Sequence, residues 1–209
     1  MGKLQNSIIT LSGIKLVSWD VDGTLFSYKR LALELFLKAI RNSSWGNTFK
    51  NLREIFEFHR TVESQRLQNG SEVDSKKLIR FKHAQQREKD ALKIALTSLL
   101  PRPNAVALIR KFAAQGIVQI ALSDFECQYK LEALGLHKHF EKAYSCEELG
   151  YWKPSPIPFS KVQNDFGVGP EQHLHIGDRT SADGLACKRN GCKFLHVRNM
   201  MSNFAPPAQ

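Results

Sequence analysis

Ile14-Lys15-Leu16-Val17-Ser18-Trp19-Asp20-Val21-Asp22-Gly23-Thr24 is the stretch whose reading decides the fold. Its first six residues are rich in side chains that suit a pleated, buried surface, and they predict a strand. The strand runs straight into two aspartates and a glycine, which predicts a turn at its C-terminal end. Working outward, the same pattern returns four times beyond Pro101. Residues 117–122, 143–145, 173–176 and 194–197 predict further strands. Between them lie helix-like stretches at 104–115, 126–134, 156–166 and 181–190, closed by Gly116, Gly135, Gly167 and Gly191. Asn104 is the expected N-cap of the first of these helices. Strands alternating with helices imply an α/β protein with a parallel sheet.

Residues 28–100 break the alternation. Leu31, Leu35, Phe49, Leu52, Ile55, Phe56, Leu78, Phe81, Leu92, Leu96 and Leu99 recur at helical spacing, and no strand pattern appears. The segment reads as all-helical, inserted between the first strand and the rest. It also holds most of the charge excess. The chain of 209 residues carries a net charge of +10, and residues 28–100 hold 15 Lys and Arg against 8 Asp and Glu. Such a segment suggests a module that faces something anionic, although a solvated helix face explains a charge run equally simply.

Composition narrows the class. With 42% hydrophobic and 24% charged residues the chain suits a soluble globular protein. It has no apolar run near the roughly 20 residues of a membrane span. The N-terminus lacks a secretory pattern, and Asn6 stands where myristoylation needs Ser or Thr. Cys127, Cys146, Cys187 and Cys192 show no C-x-x-C spacing, so reduced thiols in a cytoplasmic protein are expected and a zinc site is not.

Strand ends place the chemistry. In an open parallel sheet, ligands bind beyond the C-terminal ends of the strands. Three predicted strands end in Asp20 and Asp22, in Ser123 and Asp124, and in Gly177-Asp178 with Asp183 five residues on. Parallel strands bring these ends to one rim. Carboxylates gathered there repel each other by about 1 kcal/mol per pair even in water at contact distance, which calls for a cation. Oxygen-only ligands point to Mg²⁺.

These residues resemble the four motifs of the haloacid dehalogenase-like superfamily. Asp20-Val21-Asp22-Gly23-Thr24-Leu25 is similar to the first motif and Ser123 to the second. Gly150-Tyr151-Trp152-Lys153-Pro154 is similar to the third, and Gly177-Asp178 with Asp183 to the fourth. Together they span nearly the whole chain. The resemblance implies a Rossmann-like three-layer core from residues 1–27 and 101–209, with a small all-helical cap domain over 28–100. It implies Asp20 as nucleophile forming an aspartyl-phosphate, and Asp22 as acid and then base. Lys153 would supply positive charge where negative charge gathers. Ser123, Asp124, Gly23 and Thr24 would serve the substrate side. Mg²⁺ would be held by Asp20, the backbone carbonyl of Asp22 and Asp178, with Asp183 either in the metal site or orienting Lys153. Dehalogenating members lack an acid at the position of Asp22, so an aspartate there resembles the phosphatases and phosphomutases.

The expected activity is therefore a phosphatase acting on a small phosphate monoester: a sugar phosphate, phosphoglycolate or a nucleotide. A cap that closes over the site favours small substrates. A phosphomutase uses the same residues and is the alternative within the class. From another class comes an end-processing phosphatase or binder that meets nucleic acid through the basic cap, where Phe49, Lys50, Arg53, Phe56, Phe58, His59 and Arg60 interleave aromatic and basic groups. Arg60, Arg66, Lys76, Lys77 and Arg80 are cap candidates for a second anionic group of the substrate. Arg179, beside Asp178, is read either as a site residue or as a charge-balancing one.

Overall fold

The computed structural model describes residues 12–41, 86, 89 and 92–200. Within them a five-stranded sheet forms the centre, in the order β3-β2-β1-β4-β5 with every neighbouring pair parallel. The strands are β1 (Leu16–Trp19), β2 (Val118–Ser123), β3 (Lys142–Ser145), β4 (His173–Gly177) and β5 (Lys193–His196). The helices are α1 (Tyr28–Arg41), α2 (Pro103–Ala114), α3 (Gln128–Ala133), α4 (Ile157–Phe166) and α5 (Leu185–Asn190). The first strand in sequence is the middle strand in space. That placement leaves β1 bonded on both edges, to β2 and to β4.

Side chains alternate across a strand, so each strand feeds two cores. On one face Val17, Trp19, Ala121, Leu174, Ile176 and Leu195 pack with Leu108, Ile109 and Phe112 of α2 and Leu131 of α3. On the other, Leu16, Ile120, Leu122 and Tyr144 pack with Phe159 and Val162 of α4 and Ala186 and Cys187 of α5. The result is the expected three-layer arrangement, helices on both faces of a parallel sheet. Each fully buried Leu, Ile or Phe contributes about 1.5–3 kcal/mol relative to exposure. Trp19 meets the ring of Phe112 at 6.1 Å. Its indole N–H is satisfied by Gln119 Oε1 at 3.1 Å, and Gln119 in turn donates to the carbonyl of Ile109 at 2.9 Å. A strand side chain thus ties β1, β2 and α2 together without an unpaired polar atom.

Several boundaries differ from the sequence reading. The N-cap of α2 is Arg102, in extended conformation, and Pro103 takes the first helical position. Proline's fixed φ and missing N–H suit that place, and they outweigh the capping tendency of Asn104. The helix expected over 181–190 opens with a wide, π-type turn at Thr180–Gly184 before α5 begins. The last strand starts and ends one residue early, because Val197 opens a 3₁₀ turn. Helix α4 ends at Gly167, φ 62°, as the glycine predicts.

Of the segment expected to form the cap, α1 and the helical residues 92–97 are described, together with positions 86 and 89. Phe49, Lys50, Arg53, Phe56, Phe58, His59, Arg60, Arg66, Lys76, Lys77 and Arg80 lie outside the described residues. No described helix is long and apolar enough to cross a membrane.

Candidate active site

Asp20 follows the last residue of β1 and is buried, 2% exposed. Its backbone N–H donates to the carbonyl of Ile176, which extends the β1–β4 ladder into the turn. Its side chain is gripped from two sides. Thr24 Oγ1 donates to Oδ2 at 3.0 Å, and Lys153 Nζ sits 2.7 Å from Oδ1. The turn that makes this possible needs Gly23, whose φ is 87°. A Cβ at that position would overlap the carboxylate of Asp178 and come within 2.8 Å of the Tyr28 ring. The Gly23 carbonyl is held by Arg102, through Nε at 3.2 Å and Nη2 at 3.0 Å. A cavity of about 340 Å³ opens here, its wall including Gly23, Asp178, Arg102 and His196.

Lys153 is fully buried. Its ammonium reaches three acceptors: Asp183 Oδ1 at 2.6 Å, Asp20 Oδ1 at 2.7 Å and the carbonyl of Leu122 at 3.3 Å. Burial alone would lower its pKa, but Asp183 and Asp20 hold it well above the usual lysine range. The acids around it divide. Burial pushes the Asp20 carboxyl up to about 7 against the pull of Lys153, with Asp183 and Asp178 adding repulsion. Burial and Asp183 likewise raise Asp178 to about 6, opposed by Arg179. Burial works in the same direction on Asp183, yet Lys153 and the hydrogen bond from His175 outweigh it and hold this carboxyl well below the ordinary range.

Carboxylate oxygens of Asp20, Asp178 and Asp183 lie within 4.8 Å of one another. Asp178 Oδ1 is buried and accepts no hydrogen bond, with Arg179 Nε the nearby cation at 3.9 Å. A buried oxygen left this way, on one of two acids whose pKa values burial and like charge have raised, suits a hard cation.

Asp22 stands outside this cluster. Its Oδ2 pairs with Lys130 Nζ at 2.5 Å and accepts from Ser123 Oγ at 3.4 Å. Ser123 is thus brought to the rim with Asp20 and Asp22. Asp124, expected on the substrate side, has both carboxylate oxygens engaged by neighbours. Its Oδ2 pairs with Arg179 Nη2 at 2.7 Å and its Oδ1 accepts the Lys153 backbone N–H at 3.3 Å. Arg179 also donates its backbone N–H to Asp183 Oδ2 at 3.0 Å. Arg179 therefore joins Asp124 to Asp183.

Three groups escaped the sequence reading. Lys130, only 6% exposed, shares a short helix with buried Tyr129 and Leu131, and nothing local in the sequence sets it apart from a solvated lysine. Asp22 holds its ammonium above the usual range although burial acts the other way. Arg102 left no signal, since its acceptor is a backbone carbonyl. Ser18, His173 and His175 left one: two histidines at i and i+2 on a strand must share a face.

The sequence model of the haloacid dehalogenase-like hydrolase family matches residues 14–191. The chain belongs to this family. It is 26% identical over 205 residues to a glyceraldehyde 3-phosphate phosphatase of Methanopyrus kandleri, covering 88% of this chain and 84% of that one. It is 31% identical over 105 residues to a phosphoglycolate phosphatase of Thiobacillus denitrificans, covering 48% and 46%. Among solved structures, the L-2-haloacid dehalogenase of Xanthobacter autotrophicus matches with TM-score 0.61 at 19% identity, covering 93% of this chain and 85% of that one. A predicted phosphoglycolate phosphatase of Haemophilus somnus 129pt matches with TM-score 0.59 at 22% identity, covering 92% of each. The resemblance read from the motifs is borne out, as is the expectation of a hydrolase with a three-layer α/β core.

Proposed function

We propose that the chain is a phosphatase that hydrolyses a small phosphate monoester, with Asp20 as the nucleophile. The observation that carries this reading is the pairing of two aspartates, two residues apart, in opposite settings on one rim. Asp20 is buried against Lys153 and Thr24, with both oxygens fixed. Asp22 is less deeply buried, its Oδ2 shared between Ser123 and Lys130. A family member that displaced halide would have no use for the second acid. The leaving oxygen of a phosphate ester requires a proton. The curated relatives named above are phosphatases, which supports the same choice although dehalogenases share the fold.

In this reading Asp20 attacks phosphorus and forms an aspartyl-phosphate while Asp22, which must take up a proton and loosen its pairing with Lys130 as substrate binds, gives that proton to the leaving oxygen. Asp22 then takes a proton from the water that cleaves the acyl-phosphate. Thr24 and Lys153 hold the Asp20 carboxylate so that attack requires little rearrangement. Lys153 compensates charge that builds on the transferring group. Ser123 offers a hydroxyl to a phosphate oxygen. Asp124, engaged on both oxygens, braces Arg179 and the Lys153 backbone. Mg²⁺ would be held by Asp20, the Asp22 carbonyl and Asp178, and it supplies charge neutralisation between an anionic nucleophile and an anionic phosphate. Asp183 acts on Lys153, which it contacts at 2.6 Å.

The test is a panel of phosphorylated metabolites with Mg²⁺, including glyceraldehyde 3-phosphate and phosphoglycolate, read by phosphate release. A set of 2-haloacids, read by halide release, runs beside it. Phosphate release from at least one ester, with no halide release, supports the reading. Halide release without phosphate release would reject it.

A further inference from the structure

The face of the sheet that packs on α4 carries a polar thread. Ser18 of β1 lies opposite His175 of β4 in the parallel register, and His173 is two residues back on the same face. All three are fully buried. Ser18 Oγ is 2.7 Å from His173 Nε2 and 2.7 Å from His175 Nδ1. Gln163 Nε2 of α4 lies 3.2 Å from His173 Nδ1, and Asn190 Oδ1 is 2.6 Å from that same amide nitrogen. At the other end His175 Nε2 is 3.2 Å from Asp183 Oδ1, the oxygen that touches Lys153. The contacts run unbroken from Asn190 to the carboxylate of Asp20.

The direction of every proton in this thread follows from its acidic end. Asp183 Oδ1 faces an ammonium, so it is a carboxylate and only accepts. His175 therefore donates from Nε2 and accepts at Nδ1. Ser18 has one proton, which goes to His175 Nδ1, so its oxygen accepts from His173 Nε2. His173 Nδ1 then accepts from the Gln163 amide. Both histidines are neutral Nε2–H tautomers, which suits their burial: His173 is pushed down to about 3 by desolvation and by His175, and His175 is lowered by desolvation. The rings are clamped as well. His175 meets Phe159 edge-on at 4.9 Å and stacks on Phe194 at 6.5 Å.

A satisfied polar chain through an otherwise apolar layer costs more to build than hydrophobic packing, and its reward is one fixed arrangement. Without the His175 contact, Asp183 Oδ1 would keep Lys153 alone, and only the Arg179 N–H on Oδ2 would still resist rotation of the carboxylate. We propose that Ser18, His173 and His175 are positioning residues: a one-directional hydrogen-bond chain from α4 fixes Asp183 and, through it, sets the ammonium of Lys153 against Asp20. The inference rests on the phosphatase reading only where it gives Lys153 a part in turnover.

The experiment has two arms. The first needs no substrate. Ring-nitrogen NMR of the full chain, with ¹⁵N-labelled histidine and lysine, reports the tautomers and the Lys153 ammonium. Both buried histidines are expected as Nε2–H, and the Lys153 signal as slowly exchanging. A proton on Nδ1 of either histidine would overturn the chain. The second arm compares His175→Gln, which keeps a donor near the Nε2 position, with His175→Met, which keeps bulk and removes it. In the Met variant kcat is expected to fall about 10- to 100-fold, the range typical for partners that orient a site's ligating groups, with KM nearly unchanged. Its Lys153 signal is expected to broaden. The Gln variant should recover most of both. Equal kcat in all three proteins, or equal loss in both variants, would overturn the proposal. If His175→Met does not fold, the tautomers and His175→Gln still decide. Failure of the phosphatase reading would appear separately, as turnover that survives Asp20→Asn.

Discussion

The two faces of the sheet share every strand yet hold different chemistry. On the α2 side, Val17, Trp19, Leu174 and Ile176 make an apolar layer whose polar inclusions close on themselves, as Trp19 and Gln119 do. On the α4 side, the residues one position along, Ser18, His173 and His175, make a hydrogen-bonded line that ends at the active rim. A shift of one residue in a strand thus separates packing from function. The lesson is that the first face should set stability with little influence on rate. The second should couple the two.

The largest test of that division is Lys153→Met. It leaves the buried carboxylates of Asp20 and Asp183 facing each other with their shared cation gone. Removing one partner of a buried ion pair costs about 3–5 kcal/mol. We also expect kcat to fall about 10²- to 10³-fold, the loss seen when one stabilising donor is removed from a transition state. Urea unfolding and phosphate release measure the two effects, and a variant with wild-type kcat would break the coupling of this face to rate.

Phe112→Ala asks the converse question. Phe112 is fully buried on the α2 side, and its truncation is expected to cost about 3–5 kcal/mol in urea unfolding while turnover per folded molecule stays at the wild-type level. A marked loss of kcat would show that the apolar face is not neutral. Ser18→Ala is milder in stability. It leaves His175 Nδ1 without a donor and His173 Nε2 without an acceptor, at a cost of about 1–3 kcal/mol. Here kcat is expected to fall with stability, which distinguishes it from Phe112→Ala.

The remaining test, which changes no residue, is a pH dependence of thermal stability. In the metal-free protein Asp20 and Asp178 are raised, to about 7 and about 6. A raised carboxyl favours the folded state below its ordinary range, and that contribution is lost as pH rises through the folded value. Asp183 is depressed, so its contribution is present above the ordinary range and is lost only at lower pH. Between pH 5 and 8 the site's net contribution therefore declines. A cation bound to the ionised acids reverses the loss, so Mg²⁺ should raise Tm more at pH 8 than at pH 5. An equal rise at both would contradict the assignment of the acids.

Much of this was legible in the sequence because it sits at the ends of apolar runs. Asp20 and Asp178 each follow a buried strand and Ser123 ends one, and a parallel sheet gathers such ends without further information. What was hidden depends on partners far along the chain. Lys130 finds Asp22 across 108 residues, and Arg179 takes Asp124 across 55, so neither local pattern nor charge reveals the pair. Asp124 was legible as a polar residue at a strand end, but the partners of its two oxygens, Arg179 and the Lys153 N–H, were not. The Ser18–His175 contact spans 157 residues, yet the i, i+2 spacing of His173 and His175 announced one shared face. Pro103 was equally visible at the start of α2, and its fixed φ decided a boundary that the side chain of Asn104 did not.

The central claim is that Asp20 attacks phosphorus. Asp20→Asn keeps an oxygen near Thr24 and Lys153 but removes the nucleophilic charge. Phosphate release from the best ester of the panel is predicted to drop to the background of a no-enzyme control, while Mg²⁺ still raises Tm in the variant. Turnover at the wild-type rate would contradict the account.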